Sequence, residues 1–287
     1  MRKDLFILLL LCPLLSLAAN EALTIGLLPG GDPQMIEKES YILAEKLQNR
    51  LGRPVQIYIS KNYTAMIEAL KNKRVDLAIL SSMTYVTAEK QIDLKVLLKK
   101  TWNNGPFYYS SLLTRSGSGI KSVKDLKNKK IAFVDEKSTS GYLYPQVYLR
   151  KNAISDKSFK SVEFTGNHAA SVELLEAGKV DVIAVFADDE KAKLGAWTRF
   201  GKTGKLKPIV IWTSDPIPND PIVVRQEFYD ANPKLTHELM YDLIEIQSEA
   251  NSGLSEILGT SDLMPATSRQ YDPVREMVKI FQSVIKI

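Results

Sequence analysis

The sequence predicts an α/β protein of two similar lobes. Each lobe is expected to be a mixed, mostly parallel sheet flanked by helices, with a two-strand hinge between lobes. Three observations in the chain itself lead to two such lobes. Strand-like and helix-like runs alternate, the pattern of a mostly parallel sheet. An eleven-residue pattern recurs: Glu68-Ala69-Leu70-Lys71-Asn72-Lys73-Arg74-Val75-Asp76-Leu77-Ala78 matches Glu173-Leu174-Leu175-Glu176-Ala177-Gly178-Lys179-Val180-Asp181-Val182-Ile183, 105 residues later. That interval is far too long for a solenoid and suits two similar lobes, although two common helix–turn–strand joints would also share it. Finally, strand-like runs at 112–115 and 221–225 stand where the chain would leave one lobe and return to it.

The elements follow in order. Residues 22–28 form a short apolar run closed by Pro29-Gly30-Gly31. Residues 35–51 place Met35, Ile36, Ile42, Leu43, Leu47 and Leu51 near helical spacing and stop at Gly52. Val55-Gln56-Ile57-Tyr58-Ile59 alternates as a strand does. A helix over 63–72 and a strand over 75–80 follow. Ile131-Ala132-Phe133-Val134 reads as a strand, and helical patterns occupy 234–250 and 274–286. The expected division is lobe 1 over 20–112 and 222–287, and lobe 2 over 113–221.

The chain begins as a secretory leader does. Arg2 and Lys3 precede an apolar run over 5–15, and Ser16-Leu17-Ala18-Ala19 supplies small residues for cleavage, after Ala18 or Ala19. The run is too short to span a bilayer. Cys12 follows Leu9-Leu10-Leu11, not the small residues of a lipoprotein site, so no lipid anchor is expected. The one cysteine would leave with this leader, and a large core manages without disulfides. The 287 residues carry 38 Lys and Arg against 33 Asp and Glu, a net charge of +5. The basic residues are scattered, without the Arg-aromatic clustering of a nucleic-acid surface. The expected product is periplasmic.

The stretch Ser138-Thr139-Ser140-Gly141 follows the 131–134 strand and opens a helical run. A strand turning into a helix leaves free N–H groups where the helix dipole adds partial positive charge. With three hydroxyls, and with Gly141 expected to let a ligand approach, this is a cradle for an oxyanion. Ser and Thr also serve there as ordinary caps.

With Lys73-Arg74-Val75-Asp76-Leu77-Ala78, Tyr108-Tyr109-Ser110, Phe133-Val134-Asp135 before Ser138-Thr139-Ser140-Gly141-Tyr142-Leu143, His168 before Ser171, Pro218-Asn219-Asp220-Pro221 and Tyr271-Asp272-Pro273-Val274-Arg275, the chain resembles the phosphonate/phosphite-binding periplasmic proteins of ABC importers. These short strings carry the resemblance through their shared order and spacing, from about residue 23 to the end, and the resemblance implies the two-lobe type II periplasmic binding protein fold. The resemblance implies ligand contacts by Ser138, Thr139 and Ser140, by His168 from the same lobe, and by Tyr63 and Tyr108 from the other. It puts Asp220, and Asp188 in Phe186-Ala187-Asp188-Asp189, toward the ligand's organic end. Ser81-Ser82 departs from the Gly-Pro common in the family. The headgroup contacts so implied include no Lys or Arg. His168 would then be the contact able to gain a proton near neutrality. The implied partners are a small phosphorus anion and an inner-membrane permease, with a monomeric protein, no cofactor and no metal.

Two other functions fit the residues. A sensor module for a receptor kinase would share every feature above. A hydrolase could use Ser138, His168 and an aspartate, but no nucleophile-elbow pattern or metal-ligand spacing supports it.

Overall fold

A computed structural model describes residues 21–101, 105–202, 204, 206–259 and 262–285. The expected leader at 1–19, and Cys12 within it, lie outside the described residues. Two six-stranded sheets organise the chain. It first lays down β1 (Leu23–Leu27), β2 (Val55–Ile59), β3 (Leu77–Ile79) and β4 (Leu94–Thr101). It then crosses to build the second sheet from β5 (Phe107–Arg115), β6 (Lys130–Phe133), β7 (Ser161–Phe164), β8 (Val182–Ala187), β9 (Pro208–Thr213) and β10 (Ile217–Pro218). It returns as β11 (Pro221–Arg225) and ends its sheet with β12 (Asp262–Pro265). The first sheet is ordered β12-β4-β11-β3-β1-β2. The second is β10-β5-β8-β6-β7, with β9 also on β5.

Each sheet has two parallel pairings and three antiparallel ones. The sheets are therefore less parallel than expected. The cause is the two crossing strands, β5 and β11, which enter each sheet from the other lobe and run against its parallel core. The expected first-lobe boundary at 112 falls inside β5, a strand wholly of the second sheet. The chain changes sheets between Thr101 and Phe107, and again between Pro218 and Pro221.

The recurring Val-Asp pattern has one structural job in both lobes. Asp76 N donates to Thr24 O at 2.9 Å, and Thr24 N donates to the Asp76 carboxylate at 2.9 Å. Asp181 N donates to Lys130 O at 2.9 Å, and Lys130 N donates to the Asp181 carboxylate at 2.8 Å. Each aspartate extends the ladder of a parallel strand pair by one rung, at β1/β3 and β6/β8.

Helices cover both faces of each sheet. On the first sheet, helices Pro33–Leu51 and Pro233–Gln247 close one face around Leu43, Leu47, Leu239 and Leu243. Helices Tyr63–Lys71, Ser82–Ala88 and Asp272–Ile285 close the other. The last of these joins both lobes. Its Val274 and Val278 share a core with Leu143 and Tyr144, and the Phe281 ring meets Tyr142 edge-on at 5.7 Å. The C-terminal segment thus packs on the second lobe as well as on the first. Among the described residues, no helix is long and apolar enough to cross a membrane.

Candidate functional site

The loops at the carboxyl ends of the parallel strands face each other across the gap between the lobes. That is where open α/β sheets present ligand sites. Together they line a cleft between the two sheets. All eight residues singled out from the sequence line it: Tyr63, Tyr108, Ser138, Thr139, Ser140, His168, Asp188 and Asp220.

The local folding that puts them there is legible residue by residue. After β2, Asn62 caps a helix by accepting from Ala65 N, and Tyr63 is that helix's first residue. After β7, Asn167 accepts from Ala170 N in the same way, and His168 is first. An Asn cap thus holds the first side chain of a helix at the cleft in each lobe. After β6, Ser138 caps Thr139–Leu143, a wide π-helical turn that runs into the helix Tyr144–Lys151. Its hydroxyl accepts from Gly141 N at 3.1 Å. Gly141 does not face the ligand space. A Cβ there would lie 2.5 Å from a Val134 methyl, so the glycine lets the turn lie flat on the strand end, a correction to its expected role.

The cradle meets the other lobe directly. The Thr139 hydroxyl accepts from Met83 N at 2.8 Å. Ser81 and Thr84 hydroxyls donate to Lys137 O at 3.1 and 3.2 Å. His168 N donates to Gly30 O at 3.1 Å. The Tyr63 hydroxyl, from the first lobe, faces that of Ser138; the Tyr108 hydroxyl faces Thr139 and Ser140 from β5 of their own sheet, not from the first lobe as expected. Burial pushes both phenols up, and the Asp220 carboxylate adds to the effect, so both stay protonated donors.

The charges in the cleft differ from the expectation. Lys100, at the end of β4, and Arg199, on the short helix Ala196–Phe200, both line it. Lys100 Nζ sits 2.7 Å from Asp220, and Arg199 sits 3.4 Å from Asp188. The two aspartates are therefore already paired with cations. Burial pushes the Asp188 carboxyl up, opposed by Arg199, and pushes the Arg199 guanidinium down, opposed by Asp188. His168 is corrected too. Burial, with Lys100 and Arg199 nearby, lowers it to about 3, so it is a neutral imidazole at working pH rather than a cation in waiting.

Three buried polar atoms in this cleft have no hydrogen-bond partner: His168 Nδ1, Asn219 Nδ2 and Asp220 Oδ1. Buried polar groups are rarely left so, and here they converge on one space. Asn219 is held by its backbone, with its N–H donating to Pro106 O at 3.1 Å and its carbonyl accepting from the Tyr271 hydroxyl at 2.8 Å. Sequence reasoning missed Lys100, Arg199 and Asn219 as cleft residues. Asn219 stood inside the Pro-Asn-Asp-Pro run and could have been found there. Nothing local marked the two cations.

Comparison with known proteins decides the family. Residues 25–271 match the family described as ABC transporter, phosphonate, periplasmic substrate-binding protein. The chain belongs to this family. Among members of this phosphonate-binding family, the phosphonates-binding periplasmic protein of Escherichia coli K12 is 26% identical over 276 residues, 93% of this chain and 79% of that protein. The phosphate-import protein PhnD of Mycolicibacterium smegmatis is 29% identical over 216 residues, 69% of this chain and 64% of that one. The structure of PhnD1 from Prochlorococcus marinus in complex with methylphosphonate superposes with a TM-score of 0.78 at 21% identity, covering 93% of this chain and 100% of that one.

Proposed function

We propose that the cleft captures a phosphorus oxyanion, of the phosphonate, phosphite or phosphate class, and delivers it to the permease of an ABC importer. The observation that carries this reading is the cradle. The turn at Ser138, Thr139 and Ser140 presents hydroxyls from the second lobe, Tyr108 on β5 adds a phenol from that same sheet, and Tyr63 presents a phenol from the first lobe. Such a donor set suits an anion held between closing lobes, and the relatives named for phosphonates and phosphate point to the same ligand class. Neutral His168 adds a donor without charge. The two crossovers, at 101–107 and 218–221, serve as the hinge. The leader at 1–19 directs export to the periplasm, where the protein acts as a monomer. The Ser138 hydroxyl accepts from Gly141 N and keeps its own O–H to donate to the ligand, so it is read as a ligand donor and not as a nucleophile.

A thermal-shift screen of the full chain against methylphosphonate, phosphite, phosphate and sulfate tests the reading. A ligand at a hundredfold excess over Kd adds about 2.7 kcal/mol of apparent stability. The reading requires that at least one phosphorus anion raises Tm. A response to sulfate alone would refute it.

A further inference from the structure

Basic residues that are scattered along the sequence are gathered by the fold at one end of the second lobe. The carboxyl ends of its parallel strands β6, β7 and β8 face the cleft, so their amino ends point away from it. Three loops meet there, at 115–130, 150–160 and 177–181. Backbone bonds join them: Asn128 N donates to Ser158 O at 2.7 Å, Lys160 N to Lys129 O at 2.9 Å, and Asp181 N to Lys130 O at 2.9 Å. Together they hold eleven Lys and Arg against three Asp, an excess larger than the +5 of the whole chain. The rest of the protein carries more acid than base.

The three aspartates are already engaged. Asp125 accepts from Lys121 N at 3.0 Å and Ser122 N at 2.9 Å, and Asp181 accepts from Lys130 N at 2.8 Å. Asp156 sits 3.2 Å from Arg150, the one ion pair in these loops among the described residues. Lys121, Lys124, Lys127, Lys157, Lys160 and Lys179 are exposed. The matching turn of the first lobe, at 72–76, is neutralised instead. Its Lys73 lies 2.6 Å from Glu227, and its Asp76 lies 2.7 Å from Arg225.

We infer that this basic end of the second lobe docks on an anionic phospholipid bilayer and leaves the cleft free. Its composition favours lipid over an acidic protein. Protein interfaces are anchored by Trp, Tyr and Arg and are poor in Lys. Here nine of the eleven cations are Lys, and the exposed aromatic residues Tyr41, Phe107, Phe164 and Tyr241 lie elsewhere. Long solvated lysines suit a surface whose negative charge is spread out, where each one near the leaflet is worth about fivefold in binding. A polybasic face without an acyl chain holds reversibly. The contact is independent of what fills the cleft, which lies at the opposite end of the same sheet.

Flotation with phosphatidylcholine vesicles carrying about 0, 20 or 40% phosphatidylglycerol tests the inference, with soluble poly-glutamate as the rival partner. The full chain should leave neutral vesicles unbound and bind more as phosphatidylglycerol rises. Raising NaCl from about 0.05 to about 0.5 M should release it, because exposed charges are then screened. The quadruple variant Lys124→Gln, Lys127→Gln, Lys157→Gln and Lys160→Gln should lower the partition about 25-fold or more, as if only half of the four are seated. A second variant, Lys38→Gln, Lys90→Gln, Lys234→Gln and Lys279→Gln, changes the net charge equally at lysines exposed elsewhere and should lower it less than about threefold. Binding that ignores phosphatidylglycerol or survives salt overturns the inference, as does an equal loss in the two variants. Binding to poly-glutamate but not to vesicles also overturns it, assigning this end to an acidic protein. The wild-type lipid and salt arms decide the matter even if a variant folds poorly.

Discussion

Thr139→Val separates closure of the cleft from stability of the fold. Thr139 is 1% exposed, and its hydroxyl receives Met83 N–H at 2.8 Å from the opposite lobe. Met83 is the second residue of the helix Ser82–Ala88, so its N–H has no partner within the helix. Valine keeps the shape and deletes the acceptor. In the closed protein the N–H is then buried and unpaired, a cost of about 1–3 kcal/mol. In an open protein it meets water and costs nothing. The penalty therefore falls on ligand-driven closure, and affinity should drop by about 5- to 150-fold, with more if the hydroxyl also touches the anion. The Tm of the ligand-free chain should change little. Thr84→Val is the control, because Thr84 does not line the cleft yet donates to Lys137 O across it at 3.2 Å. It should weaken binding by about 2- to 10-fold, the worth of one neutral hydrogen bond. Calorimetry with methylphosphonate and thermal unfolding without it are the assays. Unchanged affinity in both variants, or a loss of ligand-free stability as large as the loss of binding, would refute the reasoning.

Other outcomes follow from the same contacts. His168 is lowered to about 3 when folded, against 6.5 for its free value. Between those values the unfolded chain binds a proton that the folded chain refuses, so stability should rise with pH across that window and fall on acidification. Urea midpoints of His168→Asn should show a shallower rise, and an identical slope would exclude His168 as its source. The affinity lost in His168→Asn should be constant from about pH 5.5 to 8, where the imidazole stays neutral in the folded chain and sheds any proton only when free. Gly141→Ala should destabilise by about 1–3 kcal/mol in urea unfolding, since the new methyl overlaps Val134, and Val134→Ala should recover part of the loss. Small-angle scattering should show compaction when a tightly bound phosphorus anion is added, as hinge closure requires.

Much of this was written in local sequence. The strands Val55–Ile59 and Pro221–Arg225 match their predicted bounds, the first because its side chains alternate and the second because its apolar run sits between a Pro-rich turn and an acidic helix start. The Val-Asp pattern was legible because Asp76 and Asp181 do the same chemical work in each lobe. The cradle was legible because caps are local features. What escaped was tertiary. The β4 strand, Leu-Lys-Val-Leu-Leu-Lys-Lys-Thr, has no clean alternation, since antiparallel partners flank it on both sides and leave four consecutive residues buried. Its Lys100 therefore gave no sign of facing a cleft. Arg199 lies on a five-residue helix with no cap bond from a side chain, and only the fold brings it to Asp188. The lowered proton affinity of His168 was hidden for the same reason, because burial first, and then Lys100 and Arg199 brought near it by the fold, set it.

A co-crystal structure with methylphosphonate tests the central claim most directly. The account predicts phosphorus between the lobes, its oxygens within about 3 Å of the Ser138, Thr139 and Ser140 turn and of the Tyr63 and Tyr108 hydroxyls, the span of charge-assisted hydrogen bonds. A phosphorus atom held by Lys100 and Arg199 with the Ser138–Ser140 turn left empty would contradict it.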